Sequence, residues 1–171
     1  MLAILGSLGA IYFQMKQQAR ITGTEIIRST SERAQSILGE LGKDAELARL
    51  IRVSASHWDA LSENRKLAAS TFWWQWVQVG EDMYYQAQST SFSDSTQYAD
   101  DMYRAIVGSL RMPGVRQWWS IQQVGMAPDF VAMINNLLEH DEEDASSWYD
   151  LAGWAVGEDD VARVVAQESD A

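Results

Sequence analysis

Few side chains in this chain have the type and spacing that chemistry needs. Its two histidines are His57 and His140. His57 stands beside Trp58 and Asp59, an order that suits a carboxylate-oriented general base. Joined by Glu81 or Asp82 it would serve a hydrolase; the plainer reading is a loop histidine bonded to a neighbour. His140, Glu142, Glu143 and Asp144 carry hard-metal donor atoms. Contiguous acids point in different directions, however, and the run lacks the alternation and mid-loop glycine of a calcium loop. There is no Glu-x-x-His pair for a di-iron bundle, no Gly-x-Ser-x-Gly elbow and no Ser-x-x-Lys. The chain has no cysteine, which removes thiol catalysis, disulfides and thiolate zinc sites together. A non-enzymatic protein without a cofactor is therefore expected.

The aromatic residues are the strongest anomaly. The chain has eight tryptophans against two prolines. Trp73, Trp74, Trp76, Tyr84 and Tyr85 form one cluster in sequence, Trp118 and Trp119 another. Three readings are open where they meet. They are a thick aromatic core, a cavity for an apolar ligand or lipid, or an anchor surface for a partner protein, where Trp and Tyr are enriched. Glu81 lies inside the first cluster and is expected to be a partly buried carboxylate bonded to a Trp or Tyr donor.

Charge excludes one class of partner. Residues 1–116 hold twelve basic and twelve acidic side chains, whereas residues 117–171 hold twelve acids and Arg163 alone. The net charge of −11 thus sits in the last third. Phosphate affinity comes from Lys and Arg, so nucleic acid is not an expected partner.

The elements that must position these residues read as helices throughout. Residues 1–13 (MLAILGSLGAIYF) carry no charge, yet a spanning helix needs about 20 apolar residues. We read residues 1–16 as the end of a transmembrane anchor whose first turns lie upstream. The other reading is a short apolar helix packed on protein. Lys16, Arg20 and Arg28 follow directly and, if the run spans a membrane, place the domain on its cytoplasmic side.

Residues 17–42 form a helical stalk. Its stripe Ala19, Gly23, Ile26, Thr30, Ala34, Ile37 and Leu41 either docks on its own domain or makes a homodimer seam.

Residues 43–139 are expected to form a bundle of four to five helices. Asp44 caps a helix carrying Leu47, Leu50, Ile51 and Ser54. Ser62 caps a long helix over 63–88, with Ala69, Phe72, Trp73, Trp76, Gly80, Met83, Tyr84 and Ala87 on one face. Trp74 and Tyr85 fall on the opposite face, out of pattern. Tyr98, Met102, Ala105, Ile106 and Leu110 mark the next helix. Pro113 opens a short turn bearing Trp118 and Trp119, and Pro128 opens a last helix over 129–139. No segment has a strand period, so the class is all-α. Residues 140–171 read as an acidic tail outside the core, whose patch Trp148–Val156 is either a docking segment or folds back.

Six stretches in order bear a resemblance. They are QMKQQARITGTE, Asp44-Ala45-Glu46-Leu47-Ala48-Arg49-Leu50, Leu61-Ser62-Glu63, Glu81-Asp82-Met83-Tyr84-Tyr85-Gln86, Pro113-Gly114-Val115-Arg116-Gln117-Trp118-Trp119, and Pro128-Asp129-Phe130. With them the chain resembles a large group of uncharacterised bacterial proteins that carry one N-terminal membrane helix and a small helical domain. The resemblance covers residues 1 to about 139 and implies a membrane-tethered domain, with no reaction or ligand attached. It picks out Glu81, Tyr84, Tyr85, Gln86, Arg116, Trp118 and Trp119 as a joint binding site. The apolar run here is shorter than the group's anchor, and the segment after residue 140 is outside its pattern.

Overall fold

The structure, a computed structural model, describes Gln14, Glu25 and residues 27–89, 93–140 and 156–166, apart from the side chains of residues 89 and 93–99. The apolar run 1–13 and its flank Lys16 and Arg20 lie outside the described residues, as do Trp148 and most of its patch. Among the described residues there are seven α-helices and no strand, so the protein is all-α. None of these helices is long and apolar enough to cross a membrane.

Helix α1 covers 27–43, one residue past Gly42. Helix α2, Ala45–Ser56, follows without a loop, because Asp44 is extended and its carboxylate accepts from the Glu46 and Leu47 N–H groups. That cap satisfies two donors that a helix start otherwise leaves bare. A 3-10 turn, Trp58–Ala60, leads to α3, Glu63–Ser89. The expected Ser62 cap is not made: its hydroxyl is buried and bonds no partner among the described residues. Helix α4 is Ser93–Leu110. Pro113 and Pro128 each take a first helical position, opening α5, Pro113–Gln122, and α6, Pro128–His140. The expected short turn after Pro113 is thus a ten-residue helix. Helix α7 is Glu158–Ala166.

The core forms around α3 and α5. Trp73, Trp118, Phe130, Ile51, Ile106, Leu110 and Ile134 are its largest fully buried side chains. On α3 the buried set also includes Val77 and Val79, because neighbours cover the helix on more than one side. One close approach sets the α2–α5 distance. A Cβ on Gly114 would lie 2.0 Å from the Ser54 carbonyl oxygen, so only glycine lets α5 start against that backbone.

Two open alternatives meet the structure here. Thr30, Ala34 and Ile37 of the stalk stripe are buried and Leu41 packs on the core of the same chain. Over these residues the stripe packs on the chain's own domain, while Ala19, Gly23 and Ile26 lie outside the described residues. Residues 156–166 of the acidic segment also pack on the bundle. Val164 is fully buried in the core cluster, and Val156 and Val161 pack against it. The hydrophobic effect of a few valines outweighs the acidic character that sets the segment apart in sequence.

Candidate interaction surface

The tryptophans act first as cross-ties. An indole buries a large apolar ring but keeps one N–H that needs an acceptor. Trp73 Nε1 on α3 donates to Ser54 Oγ on α2 at 2.9 Å, and Trp76 Nε1 donates to Ser109 Oγ on α4 at 3.0 Å. From α5, Trp118 Nε1 donates to Ser70 Oγ on α3 at 2.8 Å, and Trp119 Nε1 donates to Asn135 Oδ1 on α6 at 2.9 Å. Four helix pairs are each pinned by one directional bond within an otherwise apolar contact. Trp74, out of pattern in sequence, is covered by the turn before α6: a Cβ on Gly125 would fall 2.6 Å from its ring. The thick-core reading describes these rings. The described cavities open elsewhere, none lined by Trp73, Trp76 or Trp118.

The joint site drawn from the resemblance is divided. Glu81, Tyr84 and Tyr85 gather where α6 begins. Glu81 Oε1 accepts the Ala127 N–H at 2.7 Å, so its partner is a backbone donor and not a Trp or Tyr. A carboxylate at a helix start also meets the positive end of the helix dipole. Tyr84 packs on Phe130 with ring centroids 5.8 Å apart, and on Tyr85 at 5.4 Å. Tyr85 is 45% exposed. Desolvation, then the charges of Asp129, Glu81 and the Tyr84 hydroxyl, push its phenol above the ordinary value. Gln86 is half-buried further along α3.

Arg116, Trp118 and Trp119 belong elsewhere. Arg116 is exposed, but Trp118 and Trp119 are 0% and 3% exposed. The Trp118 bond to Ser70 sits about 16 Å along α3 from Glu81, at about 1.5 Å per residue. Neither indole is exposed to a partner, because the face of α5 that carries them packs inward, bonded to Ser70 of α3 and Asn135 of α6.

The hydrolase set is not assembled. His57 is exposed with its Nδ1 2.8 Å from Ser56 Oγ. It follows the end of α2, which the Ser54–Trp73 bond places about 12 Å along α3 from Glu81. Asp82 instead pairs with Arg33 of α1. His140 is exposed, with Nδ1 2.9 Å from the Asn136 carbonyl. Glu142, Glu143 and Asp144 lie outside the described residues.

A surface that sequence reasoning missed lies between the start of α3 and α5. It is a cleft of about 440 Å³ with Trp58, Ser70, Leu67 and Ile121 among its lining. Leu67 is 69% exposed and Ile121 57%. Val124, one turn beyond Ile121, is 87% exposed. Polar pairs brace the rim: Gln117 Nε2 donates to Asp59 Oδ1 at 2.6 Å, and Lys66 Nζ to Glu63 Oε1 at 3.2 Å. The available signal was Leu67 falling out of step with the buried stripe through Ala69, Phe72 and Trp73. Single exposed apolar residues are ordinary; two lining one cleft are less so. No protein-family model, curated protein or solved structure matches the chain.

Proposed function

We propose that this protein is a membrane-tethered, non-enzymatic helical module that holds an amphipathic helix of a partner protein in the cleft between α3 and α5. The observation that carries it is the pair Leu67 and Ile121, exposed on opposite helices yet lining one cleft. Each wall has helical spacing: Glu63, Leu67 and Ser70 on α3, Gln117 and Ile121 on α5. A partner helix offering apolar side chains at i, i+3 and i+4 would cover both. Asp59 on the rim favours a basic flank on that helix, since Glu63 is already paired with Lys66. The tether rests on the apolar run 1–13 with Lys16, Arg20 and Arg28 after it, which would hold the domain at the inner face of a bacterial membrane. The resemblance of six ordered stretches to tethered bacterial helical domains points to the same placement.

The test uses a photocrosslinking residue at Ile121 in the full chain, in membranes of the source cell. One discrete crosslinked partner is expected, lost on Leu67→Lys while far-UV circular dichroism stays unchanged. Crosslinking that Leu67→Lys leaves intact would refute the cleft. For the tether, removal of residues 1–16 should shift the chain from the membrane pellet to the supernatant. Retention in the pellet would overturn that part alone.

A further inference from the structure

Helix α7 sits on α2 through two ion pairs and an apolar contact. Arg49 and Arg52 stand one turn apart on α2 and both reach Asp160 of α7. Arg49 Nε lies 3.3 Å from Oδ1, and Arg52 Nη2 lies 3.7 Å from Oδ2. Arg49 is 15% exposed and also pairs with Glu46, which orients its guanidinium for α7. Below the ion pairs Val164 inserts fully, with Val161 partly covered. The seat is therefore a basic rim over an apolar floor, and its occupant is an acidic amphipathic helix. Glu158, Asp159 and Asp160 fill the first turn of α7, while Val161, Val164 and Val165 follow at helical spacing.

Two features limit the hold of α7 on this seat. Helix α7 has nine residues, too few to persist in water without a surface to pack on. It also covers its seat incompletely. A cleft of about 420 Å³ runs along its edge, lined by His57, Val156, Val161 and Val165, and Val165 stays 43% exposed.

We propose that α2 carries a docking seat for acidic amphipathic helices, that α7 is its intramolecular occupant, and that a partner protein's helix of the same chemistry displaces it. The partner helix carries a carboxylate for Arg49 and Arg52, with β-branched side chains one and four residues later, as Asp160, Val161 and Val164 do. The seat is separate from the cleft between α3 and α5, and the proposal stands without that cleft.

The probe is a fluorescent peptide of residues 156–166, titrated by anisotropy against the full chain. In the wild type the peptide competes with the resident α7. Asp160→Lys in the protein frees the seat, and binding should tighten by about tenfold, the factor for a seat nine-tenths occupied in cis. Asp160→Asn keeps the side-chain volume and should move the same way by a smaller step. Arg49→Glu with Arg52→Glu should abolish binding, and a peptide carrying Asp160→Lys should restore it. Saturating peptide should raise hydrogen exchange in the protein's own α7. Equal affinity for wild type, Asp160→Lys, Asp160→Asn and the arginine variant would overturn the proposal. So would self-association of the Asp160→Lys chain that excess peptide fails to compete, because the seat would then belong to a second copy.

Discussion

Gly114→Ala tests how tightly α5 is set against α2. The new methyl would lie 2.0 Å from the Ser54 carbonyl oxygen and 3.0 Å from the Ala55 carbonyl carbon. Both neighbours are backbone, so no side chain can rotate away and the two helices must separate. Overpacking of a filled interior costs about 1–3 kcal/mol, and a rigid neighbour puts this site at the upper end. The shift also moves Ser54, whose Oγ accepts the Trp73 N–H. Straining that buried bond adds about 1 kcal/mol. Alanine returns at most about 1 kcal/mol in helix propensity. The net is about 3 kcal/mol of destabilisation, or about 6–12 °C in Tm for a chain of this size. Gly80→Ala is the internal control. Its methyl would meet Ile106 Cδ1 at 2.1 Å, the end of a side chain that can change rotamer, so its net cost should be about 0–2 kcal/mol. Thermal and urea unfolding followed at 222 nm measure both. A Gly114→Ala protein as stable as wild type, or more stable than Gly80→Ala, would refute the close-approach reasoning.

Three further outcomes follow from named contacts. Ser54→Ala leaves the Trp73 N–H buried without its acceptor and should cost about 1–3 kcal/mol in urea unfolding; in a double-mutant cycle with Trp73→Phe the two losses should be less than additive. Asp44→Ala removes the acceptor of two first-turn N–H groups of α2 and should cost about 1 kcal/mol, seen as a fall in Tm of about 2–4 °C. Tyr103 is raised from 10.0 to about 12, by burial first and then by the charge of Asp100 and the Tyr84 hydroxyl. Its neutral form is favoured by the fold, so its contribution is present below pH 10 and is lost as pH rises from there to about 12. Absorbance of tyrosinate at about 295 nm should show a phenol titrating near pH 12 that is absent in Tyr103→Phe, whose alkaline loss of stability should be shallower.

Legibility followed the range of the forces involved. Asp44, Pro113 and Pro128 marked helix starts correctly because capping and proline geometry act within a few residues. Ser62 failed as a cap because its hydroxyl is buried by neighbours that local sequence does not name. The stripe on α3 located Ala69, Phe72 and Trp73 in the core but missed Val77 and Val79, since a helix covered on several sides has no single apolar face. The proposed joint site grouped residues by shared motif order. Burial then separated Trp118 and Trp119 from the exposed Tyr85.

By itself, the amino-acid order determined the all-helical class, the main helix starts, the absence of thiol chemistry and the placement of charge. These depend on composition and on contacts within a turn or two. Tertiary structure alone decided that four indoles pin helix pairs, that Leu67 and Ile121 share an open cleft, and that an acidic stretch folds back onto Arg49 and Arg52. Each of those joins residues from separate helices. The energy that selects them is apolar burial, which is non-directional and leaves no local pattern to read.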